Sequence, residues 1–202
     1  MKKIAIISLV LFLVINFLYC SSNQLIPGTE MQLTGKKKPK WTFDPASQDK
    51  KNLKAFVGVS HDFKMEGDAR TDALKNARQQ LIDFMGVLGK RVVKEAIVTS
   101  GMSSDIINPA IASKDESEFL SESYIKTRAK NYHVERWQRV LGDNSVENFY
   151  KIYVLVLFDE NDTKKYLHEA LADAKKTAKT EQQQRLINKA EELVNSKSLF
   201  QE

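Results

Sequence analysis

The sequence predicts an α+β fold: a small antiparallel sheet of about three strands packed by one long amphipathic helix, with a second long helix at the C-terminus. Three observations predict it. AFVGVS (Ala55–Ser60) and FYKIYVLVLF (Phe149–Phe158) are rich in β-branched and aromatic residues. Between Met65 and Gly101 the apolar residues recur at helical spacing, with charges opposite. From Asp162 onward the pattern is helical again. Apolar residues make up 42% of the 202 residues and charged ones 28%, the composition of a globular chain with a core. The net charge of +5 is mild, and it falls to +3 without Lys2 and Lys3. A mildly basic charge does not by itself argue for nucleic acid, which would want Lys and Arg clustered on one face, and no nucleic-acid partner is expected.

At the N-terminus, Lys2 and Lys3 precede a 16-residue stretch, Ile4–Tyr19, broken only by Ser8 and Asn16. A spanning helix needs about 20 apolar residues. A short apolar run behind lysines has the form of a secretory signal, the alternative being an uncleaved membrane anchor. Cys20 follows directly, then Ser21 and Ser22. This arrangement resembles a bacterial lipoprotein signal, in which the cysteine sulfur takes a diacylglycerol and the chain is cut before it. Tyr19 departs from the small residue usual at that place; relaxed signals of this kind occur in spirochaetal lipoproteins. A single cysteine forms no intramolecular disulfide and completes no cysteine-based zinc site. Each buried CH₂ contributes about 0.8 kcal/mol, so two acyl chains on Cys20 would hold the protein at a membrane.

Residues 20–40 contain Pro27, Gly28, Gly35 and Pro39 and no sustained periodicity, and read as a lipidated flexible tether. The run Lys36-Lys37-Lys38-Pro39-Lys40 is either a solvated linker or a contact for anionic headgroups. Trp41 and Phe43 suggest the chain docking onto the domain, or an exposed stacking pair. In the first strand Gly58 leaves one face bare and admits a closely packed helix. The alanines at 69, 73 and 77 would let the early turns of the following helix lie close to a sheet. Gly86 and Gly89 each cost about 1 kcal/mol relative to alanine and mark a kink or a close contact. Gly101 is a helix stop.

Met102–Ser113 reads as a loop and Lys114–Lys126 as a shorter helix. Asn131–Val140 alternates bulky and charged residues, as a half-buried strand does. Gly142–Ser145 has turn chemistry, and Phe149–Phe158 reads as a central strand covered on both faces, the two forming a hairpin. The final helix, over residues 161–202, is capped by Asn161 or Asp162. Its first half is expected to pack on the domain through Leu167 and Leu171. Its second half, with Leu186, Ala190 and Leu193, is expected to project and to offer a seam for a homo-oligomer.

The order of AFVGVS, then A-x-x-x-A-x-x-x-A-R across Ala69, Ala73, Ala77 and Arg78, then YKIYVLVLFD, resembles the lipoprotein 20 family of bacterial surface lipoproteins. The resemblance covers Trp41–Asp159. It implies an α+β domain over residues 41–160, with a helix across an antiparallel sheet, at the outer membrane or cell surface. It also implies contact with peptidoglycan, flagellum-associated envelope proteins or a host. The family has no agreed catalytic residues, so none is carried over.

His61, His133 and His168 fall in three predicted elements, with no metal-ligand spacing. Gly86–Arg91 lacks the glycine spacing and the Ser/Thr of a phosphate loop. The segment from Asp159 has Lys164 and Ala170 where a calcium loop needs Gly and Glu. Asp115, Glu116, Glu118 and Glu122 read as a solvated face of a polar helix rather than as an acid/base pair. Arg128, Arg136 and Arg139 beside Trp137 are either sheet-surface charges or an anion site. With no metal, cofactor or catalytic constellation legible, the expected function is that of a non-enzymatic envelope lipoprotein. It is lipidated at Cys20 and acts as a binding or structural module. The alternatives are a secreted soluble adhesin or effector, or a wall-acting enzyme.

Overall fold

A computed structural model of the chain describes residues 26–34, 37–102 and 127–200. Cys20, the apolar stretch before it, and the expected acidic helix Lys114–Lys126 lie outside the described residues. The described elements are β1 (Glu30–Gln32), β2 (Leu53–Val59), α1 (Glu66–Ser100), β3 (Ala129–Val140), β4 (Val146–Asp159), α2 (Glu160–Thr177) and α3 (Glu181–Ser196). Two short 3-10 turns, Lys40–Thr42 and Pro45–Gln48, lie between β1 and β2. The fold is α+β, with an antiparallel sheet in the order β1-β3-β4-β2.

The sheet has four strands rather than three. The extra strand, β1, comes from the stretch read as a tether: Glu30–Gln32 is too short and too polar to announce itself, and it is a strand because β3 offers it a partner. β4 is central, as its composition suggests. It pairs β2 from Leu53↔Asp159 to Val59↔Tyr153.

The chain divides into two units. Of the described residues, the smaller comprises 26–31 and 138–147. In it, Gly28 N–H donates to Val140 O at 2.8 Å and Val140 N–H to Thr29 O at 3.0 Å. The hairpin turn closes through Leu141 N–H to Ser145 O at 2.8 Å, with Asn144 in the left-handed region at φ 62°. Hydrogen bonds from Ser145 hold the Asp143 carboxyl below its usual range.

The larger unit, of described residues 32–34, 37–102, 127–137 and 148–200, holds the core. α1 serves two surfaces. Its first turns place Ala69, Ala73 and Ala77, all fully buried, on Ile152, Val154 and Val156 of β4. Its later turns place Leu81, Met85, Leu88 and Val92 against the C-terminal helices, with Phe56 and Phe158. Gly101 ends the helix at φ 64°, its N–H bonding back to Ile97 and Val98 carbonyls.

The C-terminal helix is two helices, not one. α2 is capped by Asp159, whose carboxylate accepts from Asn161 N–H at 2.7 Å; neither Asn161 nor Asp162 is the cap. The chain then breaks after Thr177. Thr180 starts α3 with a reciprocal capping box: its hydroxyl accepts from Gln183 N–H, and the Gln183 side chain accepts from Thr180 N–H. The break, Ala178–Thr180, falls within what reads from the sequence as one helix. α3 folds back antiparallel to α2, with Lys175 Nζ on Asn188 at 2.7 Å and His168 Nε2 on Asn195 at 3.0 Å. Its apolar stripe, Leu186, Ile187, Ala190, Leu193 and Val194, is buried within its own chain. The expected projection of that half is therefore corrected: packing against α1 removes the stripe from water. Thr180→Ala should lower stability by about 1 kcal/mol, measured by urea denaturation, because it leaves helix-end N–H groups unmet.

Candidate functional site

Side chains along a strand alternate between faces. Tyr132 and Val134 of β3 pack toward α1, so His133, Glu135 and Trp137 point to the other face. There Trp41, Ala55, Val57 and Leu155 form a second, smaller core flanked by Tyr153. Trp41 is buried and Phe43 is exposed, so of the two aromatics expected to dock, one does.

Glu135 is 1% exposed and is the most deeply buried charged-type side chain on this face. Its carboxylate accepts from His133 Nε2 at 3.2 Å, from Trp137 Nε1 at 3.0 Å and from Lys38 Nζ at 3.2 Å. Lys38 Nζ also donates to Tyr153 Oη at 2.6 Å and lies 4.3 Å from the centroid of that ring. The rings of His133 and Tyr153 are 6.0 Å apart. Trp137 stacks on Phe149 at 6.5 Å, with Lys151 Nζ 5.7 Å from the indole. A buried carboxylate is costly unless hydrogen-bonded and paired, and here three donors meet it. Chemically, the cluster is a cation-accepting carboxylate walled by aromatic rings, with the chain's own lysine as the cation.

Burial pulls the Lys38 ammonium down. Its hydrogen bonds to Tyr153 and Glu135, and their charges, outweigh this and raise its pKa above the ordinary lysine value. A raised folded-state pKa stabilises the fold fully below the unfolded lysine value of about 10.4, and that contribution is lost as pH rises through the folded value. Denaturation midpoints should therefore fall above about pH 10.5, and Lys38→Met should flatten that alkaline slope.

The predicted site residues are dispersed. Of the lysine run, Lys38 binds Glu135 inside the fold, while Lys40 pairs with Asp44 at 3.1 Å. Arg139 forms an ion pair with Glu30 at 2.5 Å within the smaller unit. Lys151 Nζ lies beside the ring of Trp137. Each histidine has a separate partner: Asp72 for His61, Glu135 for His133 and Asn195 for His168. The His61 contacts hold the Asp72 carboxyl below its usual range against the opposing effect of burial. Gly86–Arg91 lies inside α1, and Asp159 serves as a helix cap. Among the described residues no three His, Cys, Asp or Glu side chains form a metal-binding group, and no helix is long and apolar enough to cross a membrane.

The Glu135 cluster was missed. The period-two spacing of His133, Glu135 and Trp137 was its available signal; Lys38, 115 positions from Tyr153, had none. Comparison of the chain with family models, curated proteins and solved structures finds no match.

Proposed function

We propose that the chain is a non-enzymatic envelope lipoprotein, held at a bacterial outer membrane or cell surface by acyl chains on Cys20. Its α+β domain acts as a binding or structural module. The observation that carries this reading is the placement of the only cysteine directly behind the apolar stretch Ile4–Tyr19, with two lysines ahead of it.

The residues that resemble the lipoprotein 20 family, AFVGVS and the alanine repeat, touch each other: Gly58 lies against Ala73 and Ala77. Arg78, which closes the repeat, donates through Nε to Thr127 Oγ1 at 3.1 Å. The partner classes implied by that resemblance are peptidoglycan and other envelope proteins, which crosslinking in intact envelopes would identify. In the Glu135 cluster the carboxylate is engaged by three donors of the same chain. That suits a clamp for the segment leading into β2 better than an acid or base open to substrate.

Cys20→Ala should abolish incorporation of radiolabelled palmitate and move the protein from the membrane to the soluble fraction. A variant that stays membrane-bound unchanged would refute the anchor. Mass spectrometry of the mature N-terminus separates this reading from a secreted adhesin: an acylated Cys20 against an unmodified terminus elsewhere.

A further inference from the structure

We propose that the hairpin end of the smaller unit inserts its exposed apolar side chains into the same bilayer that holds Cys20, so that the domain is docked on the membrane rather than suspended above it. This rests on reading Cys20 as the acylated anchor.

Among the described residues, four exposed apolar side chains belong to this unit: Ile26 at 71% exposure, Met31 at 55%, Leu141 and Val146. Backbone hydrogen bonds join the segments that carry them. Thr29 N–H bonds to Ile26 O at 3.0 Å, and Thr29 O accepts from Val140 N–H, next to Leu141. Leu141 N–H bonds to Ser145 O, next to Val146. Met31 lies on the adjoining strand β1. Exposed apolar side chains scattered singly are ordinary, but several on one small unit point to a contact surface.

The length of chain outside the described residues selects the occupant. Five residues separate Cys20 from Ile26. Even fully extended, that span reaches roughly 20 Å. A cysteine whose acyl chains are in the bilayer therefore keeps Ile26 near the headgroups. A tether running free to Lys40 would impose no such limit, but β1 takes residues 30–32 into the sheet. Charge does not drive the contact. Residues 26–31 and 138–147 carry Glu30, Asp143 and Glu147 against Arg139 alone. Attraction to anionic lipid is absent, and the apolar side chains must supply the binding.

The test uses the full-length acylated protein, with Val146→Cys carrying an environment-sensitive fluorophore, in phosphatidylcholine vesicles. Nitroxide-labelled lipids should quench the fluorophore severalfold, with a blue-shifted emission that survives 0.5 M salt. The Ile26→Asp/Leu141→Asp double variant, still acylated, should lose most of the quenching. Quenching that disappears in high salt would overturn the apolar mechanism. Self-quenching between labelled copies without lipid quenching would assign the surface to a second copy instead. An acylated Cys20 with a water-exposed label at position 146 removes this inference alone, whereas an unacylated Cys20 removes it together with the proposed function.

Discussion

Gly58→Ala should cost the fold more than about 3 kcal/mol, at or beyond the upper end of ordinary overpacking, and should leave little folded protein in a denaturation experiment. A Cβ at this position would sit 1.9 Å from Ala73 O and 2.5 Å from Ala77 N. Both are backbone atoms, so no rotamer change relieves the clash. The helix itself would have to lift away, and with it Ala69, Ala73 and Ala77 would leave Ile152, Val154 and Val156. The control is Gly67→Ala in the first turn of α1, where an added Cβ meets nothing within 4 Å. There alanine should be neutral or stabilising by up to about 1 kcal/mol, through helix propensity and a less flexible unfolded chain. Equal stability of the two variants would show that the helix does not lie against the strand as described.

Glu135→Ala should be the most damaging substitution of a polar side chain, at about 3–5 kcal/mol, because it strands donors in a buried site. His133 Nε2 and Trp137 Nε1 lose the carboxylate they share, and Lys38 loses its counter-charge. Lys38→Met should cost far less, about 1 kcal/mol or under, since that side chain is 40% exposed and water replaces the missing contact. The two losses should not add. With Glu135 already gone, Lys38→Met should cost nearly nothing, and a double-mutant cycle by urea denaturation reads the difference. Strict additivity would refute the clamp.

The position of α1 on the sheet turns on a few small residues. Gly58 and the three alanines are each small for one reason: a helix axis is brought close to a sheet, and any larger side chain at their contact would push it away. A strand glycine followed by alanines at helical spacing is a local pattern with a single economical explanation, and it was legible. The position of α1 follows from it. The Glu135 cluster is the opposite case. His133 and Glu135 read as the polar half of a half-buried strand, yet both are buried. Alternation assigns residues to two faces but does not say which face is covered, and here both are.

The C-terminal region separates the two kinds of information most clearly. The apolar stripe of Leu186, Ala190 and Leu193 was visible as a stripe; its occupant was not. An amphipathic surface is equally well served by a second copy or by its own chain, and the choice turns on whether the chain can double back. The break before Thr180 and its capping box allow that return.

From the sequence alone came the α+β class, the central strand, the extent of α1 and its stop at Gly101, and the close approach at Gly58. These depend on periodicity and on side-chain size, which are local properties. Only the tertiary structure decided that Glu30–Gln32 is a strand, that α3 returns to the core, and that Lys38 meets Glu135. Each depends on a partner far along the chain, and no local pattern carries the free energy of a contact that exists only once the rest has folded.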